Sequence, residues 1–222
     1  MSNNNQFQDL LNALIQSKLP QINSTVSSAI KSGGLDPMVN VKSGSQTIGS
    51  IGVWPLKIDA VASYNLNSLT GLSTLHINSL VITSATTTPD GSALRGTVML
   101  QANLSSDLRM QVGGAFKAGV SVGIGGNVTI SSGSLNATGD FEATVGNQLC
   151  LTRIGVSNPG LNYGNVQVNI DGLGFLNSLL RPLENFILGQ VKGPIIGLIA
   201  GEVTPAVNNA LKGVFPQCTA LG

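Results

Sequence analysis

Two stretches of helical apolar periodicity enclose a long run of strand-like alternation, and this order of periods limits the fold more than any other feature of the chain. Between residues 6 and 32, Phe7, Leu10, Leu11, Leu14, Ile15, Leu19, Ile22, Val26, Ala29 and Ile30 keep to one broad stripe at about 3.6 residues per turn. Pro20 falls inside that stripe and predicts a kink or a split, because proline has no N–H and its ring crowds the preceding turn. Gly33 and Gly34 end the helix and Pro37 prevents a restart. Residues 173 to 215 return to helical spacing. Leu176, Leu179, Leu180, Leu183, Phe186, Ile187 and Val191 recur at three and four. Gly193-Pro194 interrupts, and Ile195, Ile196, Leu198, Ile199, Val203, Val207 and Leu211 resume. Pro205 is expected to kink this second piece or to open its final turn.

Residues 38 to 171 read as strands. Leu75 to Ala85 and Ala93 to Leu104 flank Pro89, Asp90 and Gly91, which predicts a hairpin. Val120, Val122 and Ile124, then Val128 and Ile130, then Phe141, Ala143 and Val145 alternate with Ser, Thr, Asn and Gly. Val166, Val168 and Ile170 add a last strand. The pattern predicts a meander with one apolar and one watered face. The end helices carry more apolar arc than a surface helix needs. The expected architecture is therefore α+β: long amphipathic helices wrapped by a curved antiparallel sheet, over residues 1–222 as one domain. A wrapped tube of this kind has a seam that side chains fill poorly, and an apolar ligand can occupy it.

Composition narrows the function. Charged residues are only 9% of the chain, with 11 Lys and Arg, 10 Asp and Glu, and net charge +1. The basic residues form no stripe, which argues against nucleic acid and against acidic headgroups. The surface must be built from uncharged polar groups. No apolar run reaches transmembrane length; Pro194 to Ala200 is about one third of a span. The opening MSNNNQFQD has no basic segment followed by an apolar core, so a mature form with an added start methionine is expected. Cys150 and Cys218 admit either one disulfide of a secreted protein or two separate thiols. Four Asn-X-Ser/Thr sequons, at Asn23, Asn103, Asn127 and Asn136, are candidate glycan acceptors.

Catalytic signatures are missing. His76 is the sole histidine and sits in a strand-like run. No Gly-X-Ser-X-Gly elbow accompanies it, and no carboxylate pair stands out as a dyad. Gly119 to Gly126 lacks the spacing of a phosphate-binding loop. No metal or cofactor is expected, and no enzymatic activity. The expected ligand wall is Leu14, Ile15, Ile22 and Val26 from the first helix, Trp54, Leu100 and Phe116 from the strands, and Leu180, Leu183, Phe186, Ile187 and Ile196 from the last helices.

Three segments carry a resemblance. VSSAIKSGGLDPMVNV (26–41), IGVWPLKIDAVASYNLNSLTGLSTLHINSL (51–80) and GFLNSLLRPLENFILGQVKGPIIGLIAGEVTPAVNNALKGVF (174–215) resemble the mite group-seven allergens. Those belong to the tubular lipid-binding superfamily, with insect juvenile-hormone-binding and takeout proteins, the bactericidal/permeability-increasing proteins and the airway surface-active proteins. The resemblance implies a long helix rolled in a curved sheet (a super-roll), an apolar groove or tunnel, and a secreted carrier of a hydrophobic or lipid ligand. Its single disulfide would be similar to that of the airway proteins, tying a strand to the region of the last helix. A surface-active interfacial protein and a lipid-recognition module of innate defence are the alternatives, with weak contact to a membrane or interface.

Overall fold

The computed structural model describes residues 2–51, 58–118, 120–131, 133–171, 185, 187–189, 193, 195 and 197–221. Helix α1 spans Ser2–Ser32. Its buried positions are Leu11, Ile15, Leu19, Ile22, Val26 and Ile30, one narrow stripe at intervals of three and four. Of the expected kink or split at Pro20, the split does not occur: α1 runs through it. Pro20 lies on the exposed face, as does Gln16, whose carbonyl has lost its helical N–H partner and can turn to water. The helix ends in a Schellman arrangement: Leu35 N–H donates to Ile30 O and Gly34 N–H to Lys31 O. Gly34 takes the left-handed conformation (φ +69°) that this cap requires.

Among the described residues there are ten strands, nine within the expected 38–171 region and one, Gln217–Ala220, that was not expected. They are β1 (Met38–Ile51), β2 (Ile58–Thr70), β3 (Leu75–Thr87), β4 (Ala93–Leu104), β5 (Leu108–Ala118), β6 (Val120–Ile130), β7 (Ser134–Val145), β8 (Gln148–Asn162), β9 (Val166–Asp171) and β10 (Gln217–Ala220). All pairings are antiparallel. The strands form two five-stranded sheets, in the orders β1-β2-β5-β6-β9 and β10-β8-β7-β4-β3, one of them curled into a half-barrel. This corrects the simple meander. The β3–β4 and β5–β6 hairpins follow the sequence order, but β2 pairs with β5 and β4 with β7. The expected hairpin is present, with Gly91 in its turn at φ +74°. Curling demands close backbone approach: a Cβ at Gly96 or Gly139 would collide with the carbonyl oxygen of Ser84 or Gly155 on the neighbouring strand.

At the C-terminal end a π turn, Ile199–Val203, leads into helix α2 (Thr204–Val214). Pro205 stands in the first turn of α2, directly after the wider π turn. Residues 185, 187–189, 193, 195 and 197–198 are also helical. One apolar cluster draws on α1, both sheets and the C-terminal helical residues. No polar or charged residue is buried among the described residues.

The second sheet meets α1 at both of its outer strands, β3 and β10, and α2 packs beside α1. The largest of these contacts is with β3, and the opposite face of α1 is in solvent. Polar side chains on its flank explain the position. Asn23 accepts from Ile77 N–H (2.7 Å) and donates to Ile77 O (3.0 Å). Asn12 accepts from Ile82 N–H (2.8 Å), while Gln8 donates to Ile82 O (2.8 Å). Asn208 of α2 does the same for β8 beyond the end of β10, accepting from Val156 N–H (2.8 Å) and donating to Val156 O (2.9 Å). These amides satisfy backbone groups that the sheets' outer strands would otherwise leave open.

Candidate functional site

The segment that leaves α1 builds the site. Asp36 accepts from Gly71 N–H (3.1 Å) and Ser73 N–H (2.6 Å), fastening this segment to the turn before β3. Gly71 is in the left-handed region at φ +103°, and a Cβ there would lie 2.6 Å from the Asp107 carbonyl oxygen, so glycine is required. The chain then enters β1, where Asn40 (φ +55°) makes a bulge. The register jumps from Val39↔Ser68 to Lys42↔Leu66. The bulge breaks the alternation of β1, and Met38, Val41 and Lys42 share one wall of an open groove.

The opposite wall is Gly193, Gly197, Leu198 and Glu202 from the C-terminal helical segment. The groove has a volume of about 560 Å³, within the ~300–1,000 Å³ of small-molecule sites. Gly193 and Gly197 stand four apart, on one helical face. A Cβ at either would meet nothing within 4 Å, so this wall is bare backbone facing open space. Met38, Val41 and Leu198 supply apolar surface, and the exposed Lys42 and Glu202 supply one charge of each sign.

Turned the other way, the same helical segment closes the interior. Ile199 and Val203 of the π turn, with Leu72, Leu75, Leu104, Leu135 and Leu161, line an enclosed apolar pocket of only about 10 Å³. That is room for about one water, so the side chains around this pocket are closely packed.

The structure distributes the expected ligand wall unevenly. Ile15, Ile22, Val26, Leu100 and Ile187 are buried in the core and do not line the groove. Leu14 is half-buried at its margin. Phe116 lies in β5. Trp54, Leu180, Leu183, Phe186 and Ile196 fall outside the residues whose side chains are described. The residues that sequence reasoning missed are those of the groove. Glycines repeating at intervals of four, Gly193 and Gly197, were the available signal; the β1 bulge had none.

Other expectations resolve directly. Cys150 and Cys218 form a disulfide, directly opposite on β8 and β10 with Cα atoms 3.9 Å apart. The bridge ties a strand to the chain just after the last helix. His76 is exposed on β3, paired with Asn103 of β4. Among the described residues no cluster of His, Cys, Asp or Glu could hold a metal ion. Among them, too, no helix is long and apolar enough to cross a membrane.

No family model matches the chain, and no curated protein matches it. Among solved structures it is similar to Takeout 1 of Epiphyas postvittana, at 10% identity and a TM-score of 0.42, over 93% of this chain and 92% of that one. A likeness of that size does not decide function.

Proposed function

We propose that this chain is a non-enzymatic, extracellular binder of a small hydrophobic or lipid molecule, held in the groove between β1 and the helical segment 193–202. The observation that carries the reading is the groove's composition: Met38, Val41 and Leu198 around a glycine-lined backbone wall, in a volume of about 560 Å³. Contact with apolar surface would supply the affinity, at roughly 25 cal/mol per Å² removed from water. Lys42 and Glu202 suit a polar head that is neutral or carries both charges. The Cys150–Cys218 disulfide supports an oxidising compartment.

Filling the groove tests this. Gly197→Leu places a side chain in open space and improves helix propensity by up to about 1 kcal/mol, so the fold should hold. Binding of a fluorescent fatty acid to wild-type protein should weaken at least tenfold in Gly197→Leu with an unchanged circular dichroism spectrum. Equal binding by both proteins, or none by wild type across a panel of fatty acids, terpenoids and phospholipids, removes the carrier reading.

A surface-active role is the second reading. Val39, beside the groove wall, is 66% exposed in a chain with little charge. Surface tension at micromolar protein would fall; an unchanged tension excludes it.

A further inference from the structure

The geometry points to a division among the four sequons: Asn103, Asn127 and Asn136 accept N-linked glycans on the outward sheet faces, and Asn23 is excluded because its amide already holds α1 to β3. The inference rests on the extracellular reading of the chain but not on the groove.

The three outward sites share one environment. Asn103 on β4 and Asn136 on β7 are exposed, and the pairings Asn103↔Ser134 and Gln101↔Asn136 put them on the same face of adjacent strands. Asn127 is exposed on β6, between Gln111 and Asn169 of the flanking strands. It lines a shallow polar depression with Ser68, Thr70, Arg109 and Thr129. Their hydroxyl partners Ser105, Thr129 and Thr138 lie two residues on. None of these three asparagine side chains docks a helix as Asn23 does.

Surface chemistry gives these sites a purpose. With 9% charged residues, the outward faces have little electrostatic repulsion between copies. The ion pairs Arg95–Glu142 and Arg153–Asp140 occupy β4, β7 and β8 toward the hairpin end of the second sheet. Asn103 and Asn136 stand at the far end of that face, where their strand partners are His76, Ser134, Gln101 and Gly160 and none is Lys, Arg, Asp or Glu. Glycans there would hydrate it.

In the reaction the amide nitrogen displaces the diphosphate of a polyprenyl-diphosphate oligosaccharide. A C–N bond forms to the first sugar, the C–O bond to the diphosphate breaks, and the amide gives up one proton. At Asn23 the sugar would have to enter the α1–β3 contact, where Nδ2 lies 3.0 Å from Ile77 O and Oδ1 lies 2.7 Å from Ile77 N. Conjugation and docking of α1 therefore exclude each other.

The test is secretion of the full chain from a eukaryotic host behind a cleavable signal, followed by glycosidase treatment and peptide mapping. The imposed route separates this inference from the chain's native location. In folded secreted protein, Ser105→Ala, Thr129→Ala and Thr138→Ala should each remove one glycan's mass, and Thr25→Ala should remove none. These changes leave every sequon asparagine in place. A glycan mapped to Asn23 in folded protein overturns the exclusion. An unchanged mass in any of the three outward variants overturns that site.

Discussion

Replacing Asn23 with Ala probes how α1 is held. The substitution removes two hydrogen bonds and strands both backbone groups of Ile77 in a half-buried contact. Each lost bond costs about 1 kcal/mol, and each stranded group up to about 3 kcal/mol where water cannot reach it. Alanine is the better helix former and returns about 0.6 kcal/mol. The net loss should be about 2–3 kcal/mol, a large share of the roughly 5–15 kcal/mol typical of a folded domain. Asn12→Ala should cost less, about 1 kcal/mol, because Gln8 still donates to Ile82 O and the Asn12 contact to that oxygen is already long at 3.4 Å. Urea unfolding with the disulfide intact measures both. Hydrogen exchange should show the Ile77 amide losing protection in Asn23→Ala alone. A loss below about 0.5 kcal/mol, or the same loss from Ser24→Ala on the exposed face, would refute the claim that these amides anchor the helix.

Three further outcomes follow from the core, the bridge and the hairpin. Ile187→Asp puts a carboxylate at a fully buried position; it should lower stability by more than about 3 kcal/mol, and unchanged unfolding would show that residue 187 faces water. Replacing both Cys150 and Cys218 with Ser frees cysteines 68 residues apart, which should cost about 4 kcal/mol in the chain-entropy view; calorimetry on the double variant decides. Asp90 accepts from the Thr88 hydroxyl (2.6 Å) and from the Ser92 hydroxyl (2.7 Å) and N–H (3.2 Å), which hold its carboxyl down from 3.8 to about 2. Because the folded pKa is the lower one, the charged form's contribution is full above the ordinary carboxylate range and fades as pH falls toward 2. A carboxyl titration followed by NMR should show a midpoint near 2, and Thr88→Val should raise it; a midpoint near 4 in the wild type contradicts the hydrogen-bonded turn.

Much of the local structure was legible because it depends on near neighbours. The α1 stripe, the Gly33-Gly34 ending and the hairpin around Asp90 and Gly91 all follow from side-chain period and backbone stereochemistry. At Pro20 the split did not occur, because the period shows that a proline sits in a helix but not which side of it meets water. The pairing of Cys150 with Cys218 was left open between a bridge and two thiols, since two residues 68 apart meet only through the β8–β10 register. The candidate site shows the same divide. The core residues Ile15, Ile22 and Val26 announce themselves by repetition, whereas the groove arises where a bulge at Asn40 meets glycines more than a hundred residues later.

Alternation and helical spacing alone marked the stripe of α1, the strand region 38–171 and the oily faces of both, since each side chain's direction repeats with its own backbone. Strand order, the seat of α1 along β3 and the groove at Met38, Val41 and Leu198 were decided by the tertiary structure. They depend on which distant backbone groups find partners, and amides such as Asn12, Asn23 and Asn208 acquire that role only once an unpaired strand edge lies beside them.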